Sequence, residues 1–360
     1  MFKIYSTLFF LFGWWYLTTA QQIPGDSLKI MFVGDIMSHG PQLQAAYQPD
    51  DASYDYSENF KYARKIFQQA DFVAGNLETT LGVKPYSGYP QFSAPPALAN
   101  ACKDAGINVL LTANNHSCDK GLRGIVKTLD VLDSLQIAHT GTFRNANERQ
   151  DHNALILNKN GIKLALLNYT YGTNGIPVPK PAYVNLIDTT AIKQDIQKVR
   201  LQNPDGIIVF LHWGEQYRNH PNQSQKKLVD FLHRQGINWI IGSHPHVIQD
   251  VEHQHDYVNK NIHLTAYSLG NFISNQRKFP RDGSVIIGLT FSKNPTTGIL
   301  KLSGYQIIPI WVYKYSKNDR RHYEILPVED FLFRPDYFIK NTDYQKMMRY
   351  YKHYLDIIPD

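Results

Sequence analysis

The stretch WIIGSHPHV, residues 239–247, decides how this chain reads. An apolar, β-rich run stops at a glycine and then presents two histidines with a proline between them. Two imidazoles one residue apart project to the same side of an extended chain. The proline fixes the backbone there and keeps a helix from starting. The pair therefore reads as a strand end that delivers two side chains to one target.

The same grammar recurs along the chain after residue 27. A short apolar run ends in a polar cluster and a helical stretch follows. LKIMFVG (28–34) leads into Asp35, ADFVAG (70–75) into Asn76 and Glu78, and INVLLTA (107–113) into Asn114, Asn115 and His116. KLALLNYT (163–170) holds Asn168 and Tyr169, GIIVFLHWGE (206–215) carries His212 and Glu215, and NIHLTAYSLGNF (261–272) brings Ser268 and Asn271. Apolar residues three or four apart predict helices over 58–70, 121–135, 190–201 and 222–235. Strand and helix in alternation imply an α/β sheet with helices on its faces. In such sheets ligands collect beyond the carboxyl ends of the strands, where nearly all of these polar clusters fall.

Beyond residue 283 the texture changes. SVIIGLTFS and ILKLSGYQIIPIWVYK predict a hairpin turned by NPTTG, and 328–360 reads as a helical, aromatic segment. The expected organisation is a signal peptide at 1–20, one main domain at 27–315 and a packing tail at 316–360. The start, MFKIYSTLFFLFGWWYLTTAQQ, has an early lysine, an apolar stretch and a small-residue site ending at Ala20, which reads as a secretory signal cleaved before Gln21. The mature protein is therefore expected to be periplasmic or extracellular. An uncleaved anchor is the alternative, although the apolar run falls short of the ~20 residues that span a bilayer.

Bulk composition narrows the partners. The chain has 360 residues, 43% hydrophobic and 19% charged, enough to bury a substantial core without disulfides. The formal charge of +6 is spread along the chain with no basic block, so no nucleic-acid partner is expected. KMMRYYKHYLDII (346–358) reads as an amphipathic surface helix rather than an RNA-binding element. Cys102 and Cys118 are the two cysteines. An exported protein can join them, but the unpaired state is the favoured reading.

Asp35, Glu78, Asn115, His212, His244 and His246 supply carboxylate, amide and imidazole donors from successive strand ends. Such a set suits a divalent transition metal such as Zn, Mn or Fe, as one ion or two. Two adjacent cations would share a carboxylate, polarise a phosphoryl or carbonyl oxygen and activate water. Each residue alone has a plainer reading: a turn former, a local cap or a surface charge. Their ordered recurrence favours a metal site.

The ordered set GDIM (34–37), GNLE (75–78), ANNH (113–116), HWGEQY (212–217), SHPHV (243–247) and YSLGNF (267–272) resembles the CapA family of poly-γ-glutamate capsule-synthesis proteins. That family is a branch of the calcineurin-like metallophosphoesterase superfamily. YSGYPQFSAP (86–95) and NYTYGTNG (168–175) point the same way. The resemblance implies a four-layer sandwich of two mixed sheets with helices outside. It implies Asp35 on a first metal, Glu78 bridging, Asn115, His212 and His244 on a second metal, and His246 reaching back to the first. His116 would face the substrate as an acid or a stabiliser of developing charge. Asp119 either orients His116 or caps the helix at 121, with the cap slightly favoured. The superfamily carries His two residues after the first Asp, where this chain has Met37, a soft and weak donor. His39 could compensate, but a surface histidine is the favoured reading.

Other side chains are candidates for the substrate pocket. The loop 84–96, with Tyr86, Tyr89 and Phe92, is expected to form an aromatic wall. Tyr171 and Asn174 are expected to meet a carboxylate or phosphate, and Ser268 and Asn271 to orient the ligands. The functional expectation is an exported metal-dependent hydrolase or transferase acting on an anionic polymer or a phosphorylated or peptidic envelope substrate, with peripheral membrane association left open. A non-catalytic polyanion-binding component of capsule synthesis or export is the alternative. A carbohydrate- or nucleic-acid-binding module with incidental histidines is a third.

Overall fold

A computed structural model describes residues 27–256 and 261–358. The expected signal peptide at 1–20 lies outside the described residues. Two mixed sheets carry the fold. The seven-stranded sheet runs in the spatial order Arg320–Pro327, Leu300–Lys317, Gly283–Lys293, Ser27–Ile36, Phe72–Leu77, Val109–Leu111 and Ala138–Thr140. Its last four strands are mutually parallel, and Ser27–Ile36 pairs antiparallel with Gly283–Lys293. The six-stranded sheet runs Leu155–Lys159, Ile162–Thr170, Gly206–His212, Trp239–Ser243, Asn261–Ala266 and Val251–Asp256. Its four central strands are parallel and its two edges antiparallel.

Period-two alternation sorts the side chains into layers. Leu28, Ile30 and Phe32 join Leu164, Leu166, Ile208, Phe210 and Ile241 in the core between the sheets. Met31 and Val33, the intervening residues, face the other way and meet Leu98, Cys102 and Ala105 of the helix Ala97–Ala105. Ala165, Leu167, Val209 and Ile240 likewise face Ile192, Ile196, Leu228 and Leu232 of the helices Thr189–Arg200 and Gln223–Arg234. Helix, sheet, sheet and helix are the expected four layers. Each fully buried aliphatic or aromatic side chain contributes about 1.5–3 kcal/mol, so this alternation fixes the register of both sheets.

Three expected helices form within a residue or so of their expected bounds, as Gly121–Ser134, Thr189–Arg200 and Gln223–Arg234. The fourth, over 58–70, is instead a 3₁₀ turn at Ser57–Phe60 followed by the short helix Ala63–Phe67. The break falls beside Tyr62, whose ring meets Phe331 edge-on at 5.1 Å and whose hydroxyl donates to that of Tyr337 at 2.8 Å. Tertiary contacts with the C-terminal segment override a continuous helix there. That segment, including the helix Asn341–Ile357, lays Phe331, Phe338, Met347 and Tyr350 on Trp311 and Tyr313 of the long strand. Cys102 and Cys118 are both buried and free. Among the described residues no helix is long and apolar enough to cross a membrane.

The glycine that ends the apolar run in WIIGS has a steric cause. A Cβ on Gly242 would lie 2.1 Å from the Tyr267 carbonyl oxygen and 2.4 Å from Trp213 Nε1. The strand end must pass close to the 267–272 segment, and only a residue without a side chain allows it. Gly34 does the same for the first strand, since its Cβ would meet the Gly270 carbonyl at 1.9 Å. These two close approaches bring Asp35, Ser243, His244 and Asn271 together.

Candidate metal centre and catalytic cavity

Asp35 sits near the end of the first strand, Glu78 one residue past Phe72–Leu77, His212 at the last residue of Gly206–His212, and His244 one residue past Trp239–Ser243. All are buried, as are Asn115 and His246. The two histidines of SHPHV do converge, with ring centroids 5.9 Å apart. Strand alternation is not the means. His244 has φ 102° and His246 has φ 58°, both in the left-handed region. Such backbone costs of order 1–3 kcal/mol per residue and persists where the surroundings fix it.

Asp35 anchors the cluster. Its Oδ1 accepts from Asn76 Nδ2 at 2.7 Å and from the Ser243 hydroxyl, and its Oδ2 lies 3.0 Å from His246 Nδ1. Burial opposes its ionisation, but the hydrogen bond and charge of His246, with His212 and Ser243, outweigh this and hold the carboxyl below its ordinary value. Asn271 Oδ1 also lies 3.1 Å from His246 Nδ1. With two acceptors there, Nδ1 is the donor, and Nε2 is the ring nitrogen turned toward Glu78. That Nε2 lies 3.7 Å from Glu78 Oε1.

Glu78 is the central observation. Both its carboxyl oxygens are buried without a hydrogen-bond partner. Oε1 stands 3.8 Å from His212 Nε2 as well as 3.7 Å from His246 Nε2. Burial first, then the charge of Asp35, pushes its pKa well above the ordinary carboxyl range. His212 is pushed well down by burial and by His244, and burial with His246 lowers His244 to about 3. Those two imidazoles therefore hold free lone pairs near neutral pH. Ligand atoms of Asp35, Glu78 and His212 lie within 4.8 Å of one another, as do those of Glu78, His244 and His246. Glu78 belongs to both groups, which suits a shared carboxylate. An unpartnered buried carboxyl costs several kcal/mol, and a cation between these groups removes that cost. The residues fit a divalent metal with nitrogen and oxygen ligands.

The remaining expected residues divide. Asn115 Oδ1 lies 2.7 Å from His212 Nε2, and its Nδ2 donates to Asn174 Oδ1 at 3.0 Å. Tyr171 lies over two candidate ligands, 4.5 Å from the His244 ring and 6.3 Å from the His212 ring. Asn271 holds His246 at both its ring and its carbonyl, whereas Ser268 donates to the Val247 carbonyl and braces the turn rather than a ligand. Tyr86 packs edge-on against Tyr54 at 5.4 Å. Glu215 pairs with Arg218 at the surface.

A cavity of about 550 Å³ opens onto this floor, lined among others by Met37, His39, Tyr89, Asn115, His116, Asn174 and His246. His116 Nδ1 meets Asp119 Oδ2 at 2.7 Å, and the same oxygen accepts the Phe92 N–H at 2.6 Å. Asp119 is therefore not the cap of the following helix. Lys120 occupies that position without a side-chain hydrogen bond, since an ammonium has no acceptor to offer, while Asp119 Oδ2 serves His116 and Phe92. His39 is not a free surface histidine. It is partly buried, its ring meets Phe92 edge-on at 5.1 Å, and Nδ1 accepts the Asn275 N–H at 3.3 Å.

Asn76 is named from sequence at a strand end but given no role, and Ser243 and Tyr217 are given none either. Asn76 was visible in GNLE: two residues before Glu78, it projects to the same side of the chain. Its Oδ1 is buried and unpartnered like Glu78.

The chain matches, over residues 29–276, the family described as Bacterial capsule synthesis protein PGA_cap. The Capsule biosynthesis protein CapA of Bacillus anthracis is 29% identical over 265 residues, 70% of this chain and 61% of that relative. The PGA biosynthesis protein CapA of Bacillus subtilis (strain 168) is 27% identical over 309 residues, 80% of this chain and 73% of its own length. The chain thus spans less than two thirds of the first relative. Among solved structures, the calcineurin-like phosphoesterase YfkN from Bacillus subtilis is similar at a TM-score of 0.44 and 13% identity, covering 91% of this chain and 100% of that one. With its ordered motifs inside a match of this length, the chain belongs to the bacterial capsule synthesis protein PGA_cap family.

Proposed function

We propose that this protein is an exported, metal-dependent hydrolase or transferase acting on an anionic envelope substrate in the synthesis of a poly-γ-glutamate capsule polymer. The observation that carries it is Glu78, a buried carboxyl with two unpartnered oxygens set among the imidazoles of His212, His244 and His246 at the floor of a cavity. A divalent cation bound there supplies Lewis-acid polarisation of a phosphoryl or carbonyl oxygen and lowers the pKa of bound water. Asp35, Glu78, His212, His244 and His246 would hold it, with Asn76 and Asn115 offering amide oxygens.

The protein's own groups supply the rest. Asp119 and the Phe92 N–H fix the His116 ring, so that Nε2 is the nitrogen left to give a proton to a leaving group in the cavity. Asn271 fixes the His246 tautomer. Tyr171 covers His212 and His244 and limits water at that flank. Names of relatives that make capsule support the polymer, and the apolar segment before Ala20 supports export.

The test is elemental analysis and a turnover screen on the mature protein and its His244→Ala/His246→Ala variant. Metal and turnover lost together support the reading; unchanged turnover refutes it. Met37 favours a second reading. It is buried at the cavity, where the superfamily carries a histidine ligand. A weakened first site would grip a polyanion without cleaving it, and polymer binding without hydrolysis across phosphoester and peptide panels selects that reading.

A further inference from the structure

Tyr217 closes a ring of contacts around His246. Its backbone N–H donates to the Pro245 carbonyl at 2.8 Å, and its side-chain ring lies 6.0 Å from that of His246. The Arg281 guanidinium carbon sits 3.2 Å from the centroid of the Tyr217 ring. Arg281 is tied back in turn, since Asn271 donates one N–H to its carbonyl at 2.9 Å while its Oδ1 meets His246 Nδ1. Tyr217 has φ 71°, a left-handed backbone imposed on a bulky residue. This strain is held in place by His246, Asn271, Arg281 and Pro245 together.

The ring is held while its hydroxyl is left without a partner. Among the described residues the Tyr217 hydroxyl makes no hydrogen bond, and the Arg281 side chain makes no hydrogen bond or ion pair. Tyr217 lines the cavity, and no lysine or arginine does. A guanidinium over the ring is attracted to its face and draws electron density from the phenol, which makes the hydroxyl a stronger donor. The nearest use for such a donor, one ring from His246, is an oxygen of the substrate.

We propose that Tyr217 is a substrate-binding residue whose hydroxyl donates a hydrogen bond to a carboxylate or phosphoryl oxygen beside His246, and that Arg281 is the positioning residue that holds and polarises it. This rests on the reading of the cavity as a substrate site. It adds a recognition element made by one phenol instead of a cluster of lysines and arginines.

The test uses the mature chain loaded with Mn, with an oligomer of γ-linked glutamate and inorganic phosphate as separate calorimetric probes. Metal content is measured on the same samples. Tyr217→Phe is expected to retain the metal and to weaken binding of at least one probe about tenfold, the size of a lost hydrogen bond to a charged group. The probe affected tells carboxylate from phosphate. Arg281→Gln is expected to weaken the same probe several-fold. Arg281→Lys is expected not to restore it, because an ammonium lacks the planar face that stacks on the ring. Metal-loaded wild type that binds neither probe, or Tyr217→Phe that binds both as wild type does, overturns the inference. Full recovery by Arg281→Lys overturns the role of Arg281. Wild type that retains no metal instead removes the proposed function, a separate result on the same samples.

Discussion

His116 Nδ1 and Asp119 Oδ2 stand 2.7 Å apart in a buried pair, and the same oxygen receives the Phe92 N–H. One carboxylate oxygen therefore joins the aromatic loop to the ring that faces the cavity. Asp119→Asn keeps the volume but exchanges a two-acceptor oxygen for an amide that can present a donor. The His116 ring would then turn or change tautomer. If His116 gives a proton to the leaving group, Asp119→Asn lowers kcat about 100-fold with metal content unchanged. His116→Ala costs a similar factor, and the double variant costs little more than either single one, because both changes remove one unit. Additive losses in steady-state kinetics would separate the two residues.

Glu78 gives a prediction about stability with and without metal. Its two buried oxygens lack partners, and its pKa is raised by burial and by Asp35. Glu78→Gln removes the ionisable group while keeping its shape. The metal-free variant is expected to melt no lower than metal-free wild type. The rise in Tm on adding Mn or Zn, which follows the ratio of free metal to Kd, is expected to shrink sharply. Scanning fluorimetry in chelator and in metal checks both. A variant that gains as much Tm as wild type would show that Glu78 holds no cation.

The layers were legible because alternation at Ile30, Met31, Phe32 and Val33 has one physical meaning, a strand buried on both faces. The metal-centre candidates were legible as a series of polar ends to apolar runs. Asn76 stood out as a polar strand end but received no role, because an amide within an apolar strand has no single expected one. The left-handed φ of His244 and His246 was lost because it comes from tertiary contacts around Pro245, and neither residue type announces it. Arg320–Pro327 begins RRH and its exposed start hides a strand whose second half is buried. Tyr217 and Arg281 are 64 residues apart by number, and no periodicity connects them.

His39 sets a pH dependence. Burial first, with the nearby charges of His246 and His116, lowers its pKa from 6.5 to about 4 despite the opposing Gln42 contact. The unfolded chain therefore takes up a proton at a pH where the folded chain does not. Stability is present above pH about 6.5 and is lost as pH falls toward about 4, by roughly 3 kcal/mol at full development. His39→Gln removes this contribution. Urea midpoints of the metal-free protein are expected to fall more steeply with pH in wild type than in the variant. Parallel curves would show that His39 titrates alike in both states.

Gly242 is where the first quoted stretch can be tested directly. Its missing Cβ leaves room for the Tyr267 carbonyl, which accepts the Trp213 indole N–H at 2.9 Å, and the Gly242 carbonyl itself accepts the Leu269 N–H at 3.0 Å. Neither neighbour is the flexible end of a side chain. Gly242→Ala must push the strand end away from the 267–272 segment, at about 1–3 kcal/mol for overpacking. That movement carries Ser243 off Asp35 and moves His244. Ile241→Val, one residue earlier in the core, costs about 0.5–1.5 kcal/mol without moving the strand end. Both variants are expected to lower Tm, but only Gly242→Ala is expected to weaken metal binding, about tenfold or more, in a titration against a competing chelator. Equal metal affinity in the two would mean that the close approach at Gly242 shapes the core and leaves the cation site untouched.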